Sequence, residues 1–347
     1  MGAVSHEKLH AFCVGCFRQL GLDQADAQII SDNLISANLR GVDSHGVLRL
    51  KIYADRLRAQ GIDGRARPRV VSQEASSALI DAGNGMGQVA SQQAMQMAIA
   101  KAGEAGVAVV VVKNSNHFGA AAFYARQALE HGMIGFTATN ASPTMAPSGG
   151  REARLGNNPL AVAVPAGRQR PVVLDMASGA VARGKIMVAR QEGKKIPTTW
   201  ALDRNGIPTD DAEEAFHGLI QPLGGYKGYG LGLMLDLLTG VLSGAGFSNG
   251  VGMMYQDLDR PTNSAHTFAA LRIDRFIALA EFRDRVDDIV ERMRSCPRAD
   301  GVDRIYVPGE IEDEVEQRRC AEGIPLGAAL EQELRELSGE LKVDVPF

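Results

Sequence analysis

Hydrophobic positions in the first sixty residues recur at helical spacing. Leu9, Phe12, Cys13, Cys16, Phe17 and Leu20 make one stripe. Ser5 and Asp23 stand where helices start, and Gly21, Gly41 and Gly61 where they end, so residues 5 to 60 are predicted to form a helical lobe. After Pro68 the period changes. Apolar runs at Ser77–Ala82, Val107–Val112, Ile134–Thr139, Leu160–Val164 and Val172–Asp175 read as strands. They alternate with helical stretches at Gln88–Glu104 and Ala120–His131, the second closed by Gly132, which predicts local parallel β-α-β pairing. The Asn-, Pro-, Ser- and Gly-rich stretch Asn140–Pro159 is long for a connection in a compact domain and reads as a binding segment. Helices return beyond Asp274, at Phe276–Arg294 and Leu326–Leu337. The expected division is 1–67 helical, 68–274 α/β and 275–347 helical, without internal repeats.

Composition narrows the class. A chain of 347 residues that is 45% hydrophobic and 22% charged folds and is neither disordered nor collagen-like. Its net charge of -4 creates no field for a polyanion, so the expected ligand is a small molecule and not nucleic acid. Four cysteines are too few for a disulfide framework, and Cys13 and Cys16 have no second pair at zinc-ribbon spacing. Reduced thiols, no metal centre and a cytoplasmic location are expected. An early acid and no apolar run at the N-terminus argue against a signal peptide. The longest apolar stretch, Tyr229–Phe247, contains Asp236 and several glycines and reads as a buried helix, so no membrane partner is expected.

A dinucleotide fingerprint would stand between a strand and a helix. Gly83-Asn84-Gly85-Met86-Gly87 follows a strand and precedes a helix, but the third glycine of the Rossmann spacing falls on Gln88. The next strand ends in Lys113-Asn114, where a ribose-binding acid should stand. A tight turn with positive φ explains the glycines better.

Five segments carry chemistry. In Asp43-Ser44-His45-Gly46-Val47-Leu48-Arg49, a capped helix would put His45 and Arg49 on one face. That pair suits a 2-oxo acid: the guanidinium grips the carboxylate while the imidazole exchanges a proton with the ketone oxygen. An ordinary surface His-Arg pair has the same pattern. Asn114-Ser115-Asn116-His117-Phe118-Gly119 opens a helix whose N–H groups at Phe118–Ala121 could hold an anion, or simply completes a turn. Gly224-Gly225-Tyr226-Lys227-Gly228-Tyr229-Gly230 joins a cation to open backbone, as a diphosphate cradle or as close helix packing. Asp175-Met176-Ala177-Ser178 ends a strand, Lys185 lies in the next helix, and Glu310 follows Pro308-Gly309 either as a ribose acid or as a first-turn acid.

In order and spacing these segments, with Gly156-Asn157-Asn158-Pro159, Gly184-Lys185 and Val307-Pro308-Gly309-Glu310, resemble the malate/L-lactate dehydrogenase family of NAD(P)-dependent oxidoreductases. That family also holds ureidoglycolate and sulfolactate dehydrogenases and piperideine-2-carboxylate reductase. The resemblance implies a non-Rossmann mixed β-sheet that binds NAD or NADP over 68–274, with a helical lobe built from 1–67 and the returning 275–347. It implies His45 as acid/base with Ser44 beside it, Arg49 as carboxylate clamp, and Lys185 polarising the substrate oxygen or binding a second carboxylate. His117 would border both substrate and cofactor. Phe118, Gly119, Ala120 and Ala121 would line the cofactor, as would Asp175, Met176, Ala177, Lys227, Gly228, Tyr229, Pro308, Gly309 and Glu310. Some imine-reducing members carry an acid at the position of Lys185, so a malate- or lactate-type 2-hydroxy acid is expected ahead of a cyclic imino acid. A catalytically silent nucleotide-binding protein is the remaining alternative. Homodimers with the active site at the subunit interface are also implied.

Overall fold

The structure is a computed structural model and describes residues 2–346. Its N-terminal helices are α1 (His6–Gln19), α2 (Gln24–Leu39) and α3 (Leu50–Arg58). Ser5 accepts from the Lys8 amide and Asp23 from the Asp26 amide, which satisfies otherwise unpaired first-turn donors. The predicted stripe is buried, with Leu9, Phe12, Cys13, Cys16 and Phe17 in one core with Leu34 and Tyr53. Burial pushes both thiols up, Cys16 to about 12, as expected of inert packing groups.

Among the described residues the body is a seven-stranded sheet. Its strands are β1 (Arg69–Gln73), β2 (Ser77–Asp81), β3 (Val107–Ser115), β4 (Met133–Thr139), β5 (Leu160–Val164), β6 (Val172–Met176) and β7 (Ser264–Arg272). Their order is β1-β2-β3-β7-β4-β5-β6. Only β2 and β3 pair in parallel, joined by α4 (Gly87–Ala105), whose face of Ala90, Ala94, Ala98 and Ala102 lets the helix lie close on the sheet. The second expected β-α-β pairing does not form. The helix after β3 is α5 (Ala121–Ala125) continued as 3-10 turns, and β7 enters between β3 and β4, antiparallel to both. No local pattern announces this strand: Ser-Ala-His-Thr-Phe-Ala-Ala-Leu-Arg has neither β-branched enrichment nor alternation, and its first five residues are all buried.

A small third core, also unexpected, packs Met145, Leu155, Ile186, Ala201 and Ile220 around α6 (Arg183–Gln191), α7 (Ala212–His217) and a three-stranded sheet. Then come α8 (Tyr226–Asp236), continuing into a π turn at Leu237–Val241, and α9 (Leu279–Arg294). The buried Asp287 of α9 accepts from the amides of Gly167, Arg168 and Gln169, so this helix stays against the sheet's β5–β6 loop. The return to the first lobe is made by α10 (Glu310–Glu322) and α11 (Ala328–Leu341). Arg40 of α2 pairs with Asp313 and Glu316 of α10, and Leu334, Leu337 and Leu341 of α11 join the α1–α3 core. No helix among the described residues is long and apolar enough to cross a membrane.

Candidate active site

The segment carrying His45 is not the capped helix that its spacing predicts. Asp43–His45 and Val47–Arg49 are separate 3-10 turns broken at Gly46, without side-chain caps, and α3 begins only at Leu50. The turns are held from outside. Asn38 of α2 accepts from the Val47 amide (2.8 Å) and donates to Asp43 (2.6 Å), while Arg319 of α10 forks onto both oxygens of Asp43 at 2.6 and 3.0 Å. Ser44 Oγ lies 2.9 Å from His45 Nδ1, and Arg49 Nε donates to the Ser44 carbonyl (2.7 Å). The guanidinium of Arg49 sits 5.6 Å from the centroid of the Tyr255 ring, and its terminal amino groups have no partner among the described residues. Burial, and then the charge of Arg49, pull the His45 imidazole down to about 4. Burial also lowers the pKa of Arg49 itself.

His117 faces this turn from the sheet. Its ring stacks on His45 with centroids 5.5 Å apart, and its Nδ1 lies 2.6 Å from the hydroxyl of the fully buried Tyr53 on α3. The loop is rigid. Asn116 donates to Asn84 and Gly85 and accepts from the Thr262 hydroxyl, and a Cβ on Gly87 would meet the Asn116 carbonyl at 2.2 Å, so α4 can start against this backbone only with glycine there. Gly119 is required twice over: its φ is +82°, and a Cβ would overlap the side-chain oxygen of Asn33.

The anion site expected at Phe118–Ala121 is partly taken from within. The Gly119 amide donates to His117 Nδ1, that of Ala120 to Asn33 Oδ1 and that of Ala122 to the Asp175 carboxylate (2.9 Å). A protein carboxylate therefore takes the amide next to the expected anion site. Phe118 faces the core, stacked on the buried His266 at 4.6 Å, whereas Gly119, Ala120 and Ala121 reach open space. His266 is held between Thr139 and Ser115, and burial pulls its imidazole down to about 3.

That space is a cavity of about 500 Å³ between the helical lobe, the Gly119 turn, the end of β6 and the loop before α10. Ser44, His45, Asp175, Met176 and Ala177 line it, as do Pro308 and Gly309. Glu310 is committed elsewhere: it is buried, accepts from the Val307 amide and pairs with Arg294 and Arg304, thereby clamping the loop. Two residues on, Glu312 lines the cavity with no partner among the described residues. Burial raises the pKa of Asp175, and the Ala122 amide works against that rise. The cation on the wall, Arg40, is already engaged by Asp313 (2.5 Å) and Glu316 (2.7 Å).

Of the predicted groups, Arg49 and His117 reach the cavity only through their neighbour His45, and Phe118, Glu310, Lys185 and the opening of α8 do not line it. Lys185 is exposed on α6 beside a shallow hollow with Lys194, Lys195 and Trp200. Lys227, Gly228 and Tyr229 open α8 behind Gly224 and Gly225, both of positive φ, and Lys227 is exposed. Sequence reasoning missed Tyr53, Asn33, Asn38, Tyr255, Glu312 and Arg319. A signal existed for two of these: Asn33 and Asn38 sit on the buried side of α2, where an apolar residue costs less.

A family model described as malate/L-lactate dehydrogenase matches residues 4–335. The chain is 40% identical to malate dehydrogenase of Pyrococcus horikoshii, over 98% of this chain and 96% of the relative. It is 36% identical to L-sulfolactate dehydrogenase of Methanocaldococcus jannaschii, over 96% and 95%. The solved sulfolactate dehydrogenase from Methanocaldococcus jannaschii superposes with a TM-score of 0.94 at 35% identity, covering 99% of this chain and 98% of that one.

Proposed function

Since this chain belongs to the malate/L-lactate dehydrogenase family, we propose that its cavity takes NAD and a small 2-oxo acid of the malate or lactate type. The coarser activity, hydride transfer between a nicotinamide cofactor and a 2-oxo or 2-hydroxy acid, comes with the membership. The observation that carries the substrate assignment is Arg49. A half-buried guanidinium with free amino groups beside two stacked imidazoles is a site short of one anion. A carboxylate bound to Arg49 leaves the adjacent carbonyl oxygen to the Nε2 atoms of His45 and His117, neither of which has a partner among the described residues.

In reduction His45 delivers the proton to the new alkoxide oxygen, and in oxidation it removes the proton from the hydroxyl. When bound, the nicotinamide supplies or accepts the hydride. The cavity walls fit such a nucleotide, because Asp175 and Glu312 can accept from ribose hydroxyls. With Arg40 already engaged by two acids, a 2'-phosphate would meet carboxylate without a free cation. No step is assigned to Lys185 or Lys227.

A panel of oxaloacetate, pyruvate and piperideine-2-carboxylate against NADH and NADPH, followed by loss of dihydropyridine absorbance, tests the reading. The expected result is turnover of a 2-oxo acid, with kcat/KM for NADH above that for NADPH by roughly tenfold or more. Turnover of the cyclic imine alone would reassign the substrate, and NADH binding without any turnover would leave only a nucleotide-binding protein.

Homodimer formation is part of the same proposal. Leu231, Met234, Leu238, Val241 and Leu242 are all exposed along α8 and its continuation, a longer apolar row than a monomer surface ordinarily presents. Leu238→Glu combined with Leu242→Glu should convert a dimer to a monomer in sedimentation velocity. Unchanged mass would move the interface elsewhere.

A further inference from the structure

We infer that Tyr53 is a positioning residue which, with the Gly119 amide, fixes His117 as the neutral tautomer protonated on Nε2, making this ring a hydrogen-bond donor to the substrate while proton exchange stays with His45. The inference deepens the reading proposed above for the same site.

Nδ1 of His117 has two neighbours, the Tyr53 hydroxyl at 2.6 Å and the Gly119 amide at 3.3 Å. An amide N–H can only donate. Nδ1 is therefore an acceptor, the Tyr53 hydroxyl donates to it as well, and the single proton of the neutral ring resides on Nε2. Tyr53 is itself held: its side chain is fully buried on α3, in the lobe core. His45 is placed differently. Its Nδ1 meets only the exposed Ser44 hydroxyl (2.9 Å), which can donate or accept. That ring can adopt either tautomer and can carry a proton on both nitrogens without losing its partner.

The stack makes the two roles exclusive. With centroids 5.5 Å apart and Arg49 beside both, two imidazolium rings would repel each other. The titratable groups around His117 are His45 and Arg49 from the lobe turn, Tyr53 from α3 and His266 from the sheet. Burial first, then Arg49, His45 and His266, hold the His117 imidazole well below its usual range. Both hydrogen-bonding and charge thus keep His117 neutral, and the mobile proton falls to His45.

Histidine-nitrogen NMR on ligand-free protein labelled in its histidines reads this directly, with His117 assigned by the signal lost in His117→Gln. Expected is a pyridine-type Nδ1 and a pyrrole-type, protonated Nε2, constant between about pH 6 and 8. In Tyr53→Phe the two tautomers should mix or the ring should begin to titrate in that range. The variant's kcat should fall about tenfold, with KM for the coenzyme unchanged and a new limb in the kcat pH profile. A proton on Nδ1, or an imidazolium, in the wild-type spectrum near neutral pH would overturn the assignment. A Tyr53→Phe spectrum and pH profile identical to wild type would remove Tyr53 from the role. The wild-type spectrum needs neither variant nor substrate, so it stands even if Tyr53→Phe does not fold or the 2-oxo acid assignment fails.

Discussion

His45→Ala is expected to lower kcat/KM for the 2-oxo acid by a factor on the order of 10² or more, with coenzyme affinity close to wild type. The loss follows from geometry. His117, the other imidazole on the site, has its Nδ1 occupied by two donors and cannot take up the work, and Ser44 has no acid strength near neutral pH. Coenzyme affinity should survive because Asp175, the Gly119–Ala121 turn and the loop before α10 do not depend on the His45 ring. A pH profile adds a second check. With the His45 imidazole pulled down to about 4 in the free enzyme, it is neutral at ordinary pH, the form that accepts a proton. Hydroxy acid oxidation should therefore be flat in kcat/KM through neutral pH and fall only as pH drops toward about 4. Reduction needs the charged ring, so its kcat/KM should decline roughly tenfold for each pH unit above that value. A bound carboxylate beside Arg49 favours the imidazolium and should move the kcat profile for reduction upward. Wild-type turnover in His45→Ala would transfer the proton step to another group and end the mechanism.

The largest expected effect on stability is at Arg56. This side chain is 1% exposed, and its guanidinium donates to four carbonyls: Met254 (3.1 Å), Asp257 (2.7 Å), Gly61 (3.3 Å) and Arg260 (2.6 Å). It ties α3 to the 254–260 loop, which also brings Tyr255 over Arg49. Arg56→Met keeps much of the apolar stem but strands acceptors already removed from water, at a cost of about 3–5 kcal/mol. Chemical denaturation should show that loss. Arg58→Met, two residues on, removes only the solvent-screened surface pair with Glu340 and should cost far less. Equal effects of the two substitutions would mean that the clamp contributes nothing beyond an ordinary surface pair. Arg56→Met should also weaken binding of the acid substrate, because Arg49 loses the ring it rests on.

Legibility in the sequence varied with how local the signal was. The α1 stripe and β5 were read from local pattern to within a residue or two, since each is decided by periodicity and flanking caps. The central strand β7 was invisible. Buried among other strands, it needs no alternation, and its small residues are chosen by the Ala-rich helix packed on the sheet and by the neighbouring strands. At the site, motif order pointed to His45, Arg49 and His117, but the helical-face argument for the first two failed at Gly46. Their proximity is imposed by Asn38 and Arg319 instead. The helix-start anion site is partly spent for the same kind of reason: Asn33 takes the Ala120 amide, and Asp175, more than fifty residues away, takes the neighbouring Ala122 amide.

The sequence by itself determined the elements with a strong local period, the failure of the Rossmann fingerprint at Gln88 and the family, because these depend on residue order and short-range spacing alone. Tertiary structure decided which nitrogen of each histidine is free, which acid lines the cavity and which arginine still lacks an anion. Those outcomes rest on hydrogen bonds between residues far apart in the chain, such as Tyr53 to His117, Arg319 to Asp43 and Asp175 to Ala122. Whether a donor is spent or available is fixed by the partner that folding brings to it, and no local pattern encodes that.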